Sequence, residues 1–310
     1  MSTLICGSLA YDTVMVFDGR FKDHILPDRI HMLSVAFLVP QLRRNYGGIA
    51  GNIAWNLKLL GLEGAPLAAV GDDFDPYEAW MRRHGLSLEY VRRVPGTYTA
   101  QAYITTDLDD NQITAFHPGA MQRSGEIDVP RDAGITLGLV GPDSRVGMIR
   151  HAQQLADAGI PFVFDVGQGL PLFDAAELGT FIDQATWVIV NDYDGQLVQE
   201  RLGLSPRQIA ARCSAYVVTR GALGSLVHVG ERIIEIPPAP PARVVDPTGC
   251  GDAYRAGFLY GLVRGLDWET TGRLGSLMGA IKIAHHGTQA HEPSFDAIAT
   301  QFHETFGYRL

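Results

Sequence analysis

Asp252 directly follows a Gly-x-Gly turn in the segment Val245-Asp246-Pro247-Thr248-Gly249-Cys250-Gly251-Asp252-Ala253-Tyr254-Arg255-Ala256-Gly257-Phe258. Two glycines one residue apart permit backbone conformations closed to other residues and aim successive N–H groups at one point. An amphipathic helix follows at once, so Gly249, Cys250 and Gly251 lie at its positive N-terminal end. Such a site suits a phosphoryl group whose charge is held during transfer, where losing one preorganised donor costs about 3 kcal/mol. A carboxylate at the helix start reaches a hydroxyl lying beside that anion and accepts its proton. On spacing alone, the same residues equally suit an acidic first turn with two turn glycines.

A second cluster lies near the N-terminus, in Tyr46-Gly47-Gly48-Ile49-Ala50-Gly51-Asn52-Ile53-Ala54-Trp55-Asn56-Leu57. Gly47-Gly48 opens a helix with Ile49, Ile53, Leu57 and Leu60 on one face. Asn52, one turn in, can donate to and accept from the hydroxyls of a polyol that approaches the glycine backbone. Helix-start packing explains the same residues equally well. The first strand ends in Cys6-Gly7-Ser8-Leu9-Ala10-Tyr11-Asp12. Ligands of open parallel sheets gather beyond the carboxyl ends of strands, so Asp12 is a candidate to grip two adjacent hydroxyls, or else a solvated loop acid.

These candidates need a scaffold that brings both helix starts together. Buried strands are expected at Leu4–Cys6, Leu67–Val70, Thr136–Val140, Phe162–Asp165, Trp187–Val190 and Tyr216–Thr219. Helices are expected at Gly48–Leu60, Tyr77–His84, Val146–Ala158 and Ala175–Ala185, then at Asp252–Arg264, Glu269–Ala284 and Phe295–Phe306. Strand–helix alternation implies a parallel sheet with helices on both faces, the last three helices covering one of them. Thr13–Asn45 and Thr97–Pro118 break the pattern. They are rich in β-formers, with a turn at Asp109-Asp110-Asn111 and a partner strand at Gln112–His117, and read as a small sheet projecting from the main domain or as an extension of the central one. Pro237-Pro238-Ala239-Pro240-Pro241 is a stiff connector into the Asp252 segment.

The 310 residues suffice for one large α/β domain with a small appendage. Lys and Arg total 25 against 34 Asp and Glu, a net charge of -9. Without a concentrated basic patch, that balance repels nucleic-acid backbones. Arg43-Arg44, Arg82-Arg83 and Arg92-Arg93 read as solvated surface. Cys6, Cys213 and Cys250 are odd in number and widely spaced, which opposes a disulfide framework and a zinc site. His285 and His286 are adjacent and so face different directions on a helix, unlike a ligand pair. No signal peptide or membrane span is read, and the expected setting is the reducing cytoplasm. The P-loop pattern and the protein-kinase motifs are also missing from the sequence.

Together these segments resemble the ribokinase (PfkB-type) family of carbohydrate and nucleoside kinases, and within it bacterial adenosine kinases. The resemblance rests on Gly47-Gly48-x-x-x-Asn52 and Asp246–Phe258, about two hundred residues apart, with Asp12 and Phe116-His117-Pro118-Gly119-Ala120-Met121. It implies a ribokinase-like three-layer α/β/α fold with a mostly parallel central sheet and a small β-sheet lid. The core would be 1–12, 46–96 and 119–310, and the lid 13–45 and 97–118. Asp252 would be the base, and the backbone of Gly249, Cys250 and Gly251 the anion hole. Asp12, Gly47, Gly48 and Asn52 would hold the ribose, with Ser8 and Gln168 nearby and Phe116 packed on the base. Asn191-Asp192-Tyr193-Asp194 matches an Asn-x-x-Glu element that organises magnesium through water, with Asp194 one methylene shorter than the usual Glu. Thr219-Arg220-Gly221-Ala222-Leu223-Gly224 matches the loop that passes the nucleotide phosphates.

The resemblance thus implies ATP-dependent phosphorylation of a nucleoside 5′-hydroxyl, adenosine first, with Mg2+ and room for a monovalent cation such as K+. Other readings are a different nucleoside, a free sugar such as ribose or fructose, or a non-catalytic sensor of such ligands. Three departures bear on the acceptor and the anion hole. Ala36 and Ala102 stand where a hydroxyl and a ring are expected, and a lost stacking ring weakens purine binding by about 1 kcal/mol. Cys250 replaces the usual Ala, either as a small tolerated side chain or as a thiolate favoured by the helix N-terminus. The sequence is silent on oligomeric state, although an exposed lid edge offers a surface for homodimer pairing.

Overall fold

Residues 2–25, 34–109, 111–131 and 134–310 are described by the computed structural model. Residues 26–33 of the expected lid and Asp110 of its expected turn lie outside the described residues. One sheet contains β1 (Ser2–Cys6), β4 (Gly64–Val70), β5 (Tyr90–Arg93), β8 (Ile135–Val140), β9 (Phe162–Phe164), β10 (Trp187–Asn191), β11 (Ala215–Thr219), β12 (Ser225–Val229) and β13 (Arg232–Ile236). Its order is β13-β12-β11-β10-β9-β8-β1-β4-β5. It is parallel from β5 to β11 and turns antiparallel only at the β12–β13 edge.

Because successive side chains of a strand point to opposite faces, each strand feeds two cores. Ile5, Val163, Ile189 and Val217 join one core, while Leu4, Cys6, Phe162, Phe164, Val188, Val190, Tyr216 and Val218 join the other. The first face is covered by α1 (Ile49–Leu59), α2 (Asp75–Arg83) and α7 (Cys250–Arg264). The second face is covered by α3 (Arg145–Asp157), α4 (Ala175–Gln184), α5 (Asp192–Leu202) and α6 (Pro206–Ala210). Outside α7 lie α8 (Trp268–Ile283) and α9 (Phe295–Phe306), around Leu274, Leu277, Met278, Ile298 and Phe302. The three-layer α/β/α architecture expected from sequence is therefore observed. β5, β12, β13, α5 and α6 lay outside the expected elements, being short or strongly polar.

A second sheet contains β2 (Ala10–Val16), β3 (Gln41–Gly47), β6 (Ala100–Thr106) and β7 (Gln112–His117), in the order β3-β2-β6-β7. Its outer pairs are antiparallel and its central β2–β6 pair is parallel. β2 already begins at Ala10, so the division drawn after residue 12 falls inside a strand. At the base of this sheet Tyr46 stacks on Tyr77 of α2 at 4.6 Å, and the Tyr11 hydroxyl donates to the Asp73 carbonyl. Among the described residues no helix is long and apolar enough to cross a membrane.

α7 and α8 cross at glycines. A Cβ built on Gly257 would lie 2.8 Å from the backbone of Gly275, so the helices touch main chain to main chain. Gly257→Ala is expected to force the helices apart and to destabilise the fold by roughly 2 kcal/mol, as overpacked cores do. Thermal denaturation followed by circular dichroism checks this; an unchanged melting temperature would show that the crossing has slack.

Candidate active site

The two glycine-led helix starts meet around one carboxylate. Asn52 on α1 donates from Nδ2 to Asp252 Oδ2 on α7 at 2.7 Å, across 200 residues of chain. Each helix is placed by a glycine with positive φ. Gly48, at φ 83°, leaves no room for a Cβ, which would lie 2.5 Å from the Ser8 carbonyl and 2.6 Å from Ala10 N. That same Ser8 carbonyl accepts from Ala50 N and so finishes the α1 N-terminus. Gly249, at φ 80°, is the N-cap of α7 and packs on Thr288. The first N–H groups of α7 therefore open beside Asp252.

Residues 287–291 staple these helices together, a role with no local signal in the sequence. Gln289 donates from Nε2 to Asn52 Oδ1 at 2.8 Å and to the Tyr77 hydroxyl at 2.7 Å. The Tyr77 hydroxyl in turn donates to the Gly47 carbonyl. Thr288 donates to the Tyr46 carbonyl, and the Trp55 indole donates to the His291 carbonyl. His291 pairs with Asn56, whose amide donates to the Asn52 carbonyl. Burial drives the His291 pKa down to about 3, so the ring is neutral in this network. Asn52, expected to face the ribose, thus has its carbonyl oxygen taken by Gln289 and one amide hydrogen taken by Asp252.

The loop before α7 is held from the other side. Asp246 accepts from Thr248 N and Gly287 N, both at 2.9 Å. Burial pushes its carboxyl up, but these N–H groups prevail and hold it below the usual range. Lys282 is fully buried and donates to the Asp246 carbonyl at 2.7 Å. A buried helical lysine reads as surface in a sequence, and it was missed for that reason.

The register of the small sheet places Asn45, Asp12, Ala102 and Phe116 in one row across β3, β2, β6 and β7. Directly paired residues share a face, so all four side chains lie on one side. A Cβ built on Gly287 would lie 3.3 Å from Asn45, which sets that side toward the core. Asp12 lies over Gly47, where a Cβ would collide with its carboxylate. Phe116 is 52% exposed, and Ala102, between it and Asp12 in the row, carries only a methyl group. Asn45 went unnoticed in the sequence because only strand register reveals it. Ala36 is exposed next to Phe37, which packs on Phe17 and Phe21.

The remaining candidates sit along the carboxyl edge of the large sheet. Asn191 and Thr219 are register partners at the ends of β10 and β11. Asn191 caps α5, accepting from Asp194 N and donating to the Asp194 carboxylate, so this pair is already joined. Burial raises the Asp194 pKa. Arg220 and Gly224 close the β11–β12 turn by a 2.7 Å backbone bond, with Gly221 exposed at its tip. Gln168 is exposed on a 3-10 turn, and among the described residues it makes no hydrogen bond to the other candidates. Ser8 contributes its backbone, and its hydroxyl makes no hydrogen bond among the described residues. Burial raises the Cys250 thiol to about 11, which opposes the thiolate reading.

Charge is concentrated at the meeting point. Burial pushes Asp252 up to about 6, against the pull of Arg255, the Asn52 bond and Lys282. Burial, then the charges of Asp252 and Asp246, push Asp12 up to about 6. Arg255 is itself buried and paired with Asp165 beyond β9, a contact with no local sequence signal. Among the described residues no group of three or more His, Cys, Asp or Glu is placed to hold a metal ion.

Residues 12–294 match the profile of the pfkB family carbohydrate kinases. The structure of a Burkholderia thailandensis nucleoside kinase in complex with inosine is similar over 99% of each chain, with 51% identity and a TM-score of 0.91. Its ADP–inosine complex is similar with 52% identity and a TM-score of 0.88, over 99% of this chain and 97% of that one. A Methanocaldococcus jannaschii nucleoside kinase is 30% identical over 84% of this chain and 86% of its own.

A raised carboxyl pKa means that folding favours the protonated form. The stability it contributes is full below about pH 4 and is lost as pH rises through about 6. At pH 8 the ionised Asp252 therefore costs on the order of 2 kcal/mol. Asp252→Asn is expected to melt above the wild type at pH 8, with the difference vanishing towards pH 4. Paired thermal melts at the two pH values check this, and a wild type more stable at pH 8 would contradict it.

Proposed function

The chain belongs to the pfkB family of carbohydrate kinases, phosphotransferases that act on hydroxyl groups, and on that basis we propose that it phosphorylates the 5′-hydroxyl of a purine nucleoside with ATP. The observation that carries this reading is the Asn52–Asp252 bond, which gathers two helix starts around one carboxylate. The 5′-oxygen bonds to the γ-phosphorus as its proton passes to Asp252. The bond between that phosphorus and the β-phosphate oxygen breaks, and ADP leaves. The N–H groups of Gly249, Cys250 and Gly251 receive the charge on the transferring group.

Asp12, with Asn45 beside it in the strand row, accepts from the ribose hydroxyls, and Gly47 and Gly48 let the sugar approach the backbone. Phe116 packs on the base. The space at Ala102 suits a site that admits adenosine and inosine alike, and the similarity to an inosine-bound kinase supports that breadth. Asp194 and Asn191 fit Mg2+ only through water, since the ion keeps most of its shell for phosphate oxygens and solvent. Thr219, Arg220, Gly221 and Gly224 line the path of the nucleotide. The small sheet acts as a lid that excludes water, which otherwise competes for the phosphoryl group. Its exposed edge strand β7 is the surface for homodimer pairing. The free cysteines suit the reducing cytoplasm.

An ATP-consumption assay over adenosine, inosine, guanosine, cytidine, ribose and fructose tests the proposal. Purine nucleosides are expected to outpace both sugars, and Asp252→Asn to lower kcat by about 10²–10⁴-fold. Because Asp252 works ionised, kcat/KM is expected to fall below about pH 6. Faster turnover of ribose or fructose would reject the nucleoside acceptor. Full activity of the variant would reject Asp252 as the base.

A further inference from the structure

Arg255 stands three residues after Asp252, so the two side chains rise from one face of α7. Asp165, just beyond β9, takes one edge of the guanidinium. Arg255 Nη2 donates to Asp165 Oδ1 at 2.9 Å, while Nε lies against Oδ2 off the line of a hydrogen bond. The two side chains are only 7% and 2% exposed. The opposite edge of the guanidinium lies beside Gly251, where a built Cβ would come 2.7 Å from Nη1. Among the described residues Nη1 makes no hydrogen bond. The glycine at 251, inside the first turn of α7, thus leaves room for the guanidinium.

A closed pair with Asp165 would be a neutral tie between α7 and β9, and such buried pairs add little net stability. Arg255 is not closed in that way. Asp165, Asp252 and Asp194 all raise its proton affinity, against the effect of burial. One cation therefore serves carboxylates from three elements: the end of β9, α5 and α7. Asp252 also feels Lys282 of α8, Cys250 at the start of α7, and Asp12 of β2.

We propose that Arg255, anchored by Asp165, is a positioning residue that keeps the Asp252 carboxylate ionised and aimed into the anion hole. This rests on the reading of Asp252 as the base. Asp165 then acts by holding Arg255 in place and by its own charge, without touching the reacting groups. The two partners influence the base with opposite sign: the guanidinium eases its ionisation and the Asp165 charge opposes it.

The test is the pH profile of kcat/KM with a purine nucleoside and ATP, measured with thermal melts for each variant. In Arg255→Met the acid limb is expected to move up by about one pH unit, giving roughly tenfold lower kcat/KM at pH 6. In Asp165→Asn, which keeps the shape of the side chain, the limb is expected to move down, since the guanidinium charge is no longer shared. Arg255→Lys keeps the charge and is expected to restore the limb to near its wild-type position, even if Arg255→Met folds poorly. Lower melting temperatures with an unmoved limb, or shifts of the same sign in Arg255→Met and Asp165→Asn, would overturn the proposal and leave a structural tie. Asp252→Asn separates the two readings. If it keeps wild-type turnover, the base assignment fails whatever the Arg255 variants do.

Discussion

Asn52 and Asp252 can lie 2.7 Å apart only if α1 and α7 run side by side on one face of the sheet with their N-termini level. That requirement governs much of the architecture. The 287–291 segment fixes the Asn52 amide by occupying its carbonyl oxygen, and Thr288 fills the space beside Gly249. The Gly257–Gly275 crossing binds α7 to α8, whose C-terminal end supplies Lys282 and leads directly into the stapling segment. The small sheet is joined to the same place because β3 ends at Gly47, immediately before α1.

The same convergence carries an electrostatic cost. Asp12 and Asp252 are both pushed up to about 6, chiefly by burial. Asp246, which is similarly placed, escapes this because two backbone N–H groups are spent on it. The contrast separates two uses of a carboxylate. Asp246 is held by main-chain donors and organises a loop, whereas Asp252 receives one side-chain donor and its other oxygen has no hydrogen bond among the described residues. Burial of that carboxylate raises its basicity, which is consistent with the proposed role as proton acceptor.

Much of this was legible from the chain. The Gly249–Asp252 and Gly47–Asn52 elements announce themselves because glycine pairs at helix starts are locally interpretable. The alternation of strands and helices gave the layers. What escaped were polar residues whose meaning depends on distant partners: Gln289, His291, Lys282, and the Arg255–Asp165 pair. Asn45 escaped for a related reason, since its place beside Asp12 follows from strand register and not from spacing. Asn52 reads from sequence as a ribose contact, and its bond to a glutamine 237 residues away has no local signal there. The β12–β13 hairpin was lost because its residues mix polar and apolar types at an exposed edge.

The staple at 287–291 also has a temporal meaning. A ribosome adds about 5–20 residues per second and releases the N-terminal part first. Until residues 289–291 emerge, the nascent chain therefore holds α1 with Asn52, Trp55 and Asn56 lacking their partners. Those buried polar groups are satisfied only when residues 289–291 have emerged. Emergence of this segment thus locks the front of the molecule, and a chain truncated before this point would carry both glycine elements without the clasp that aligns them.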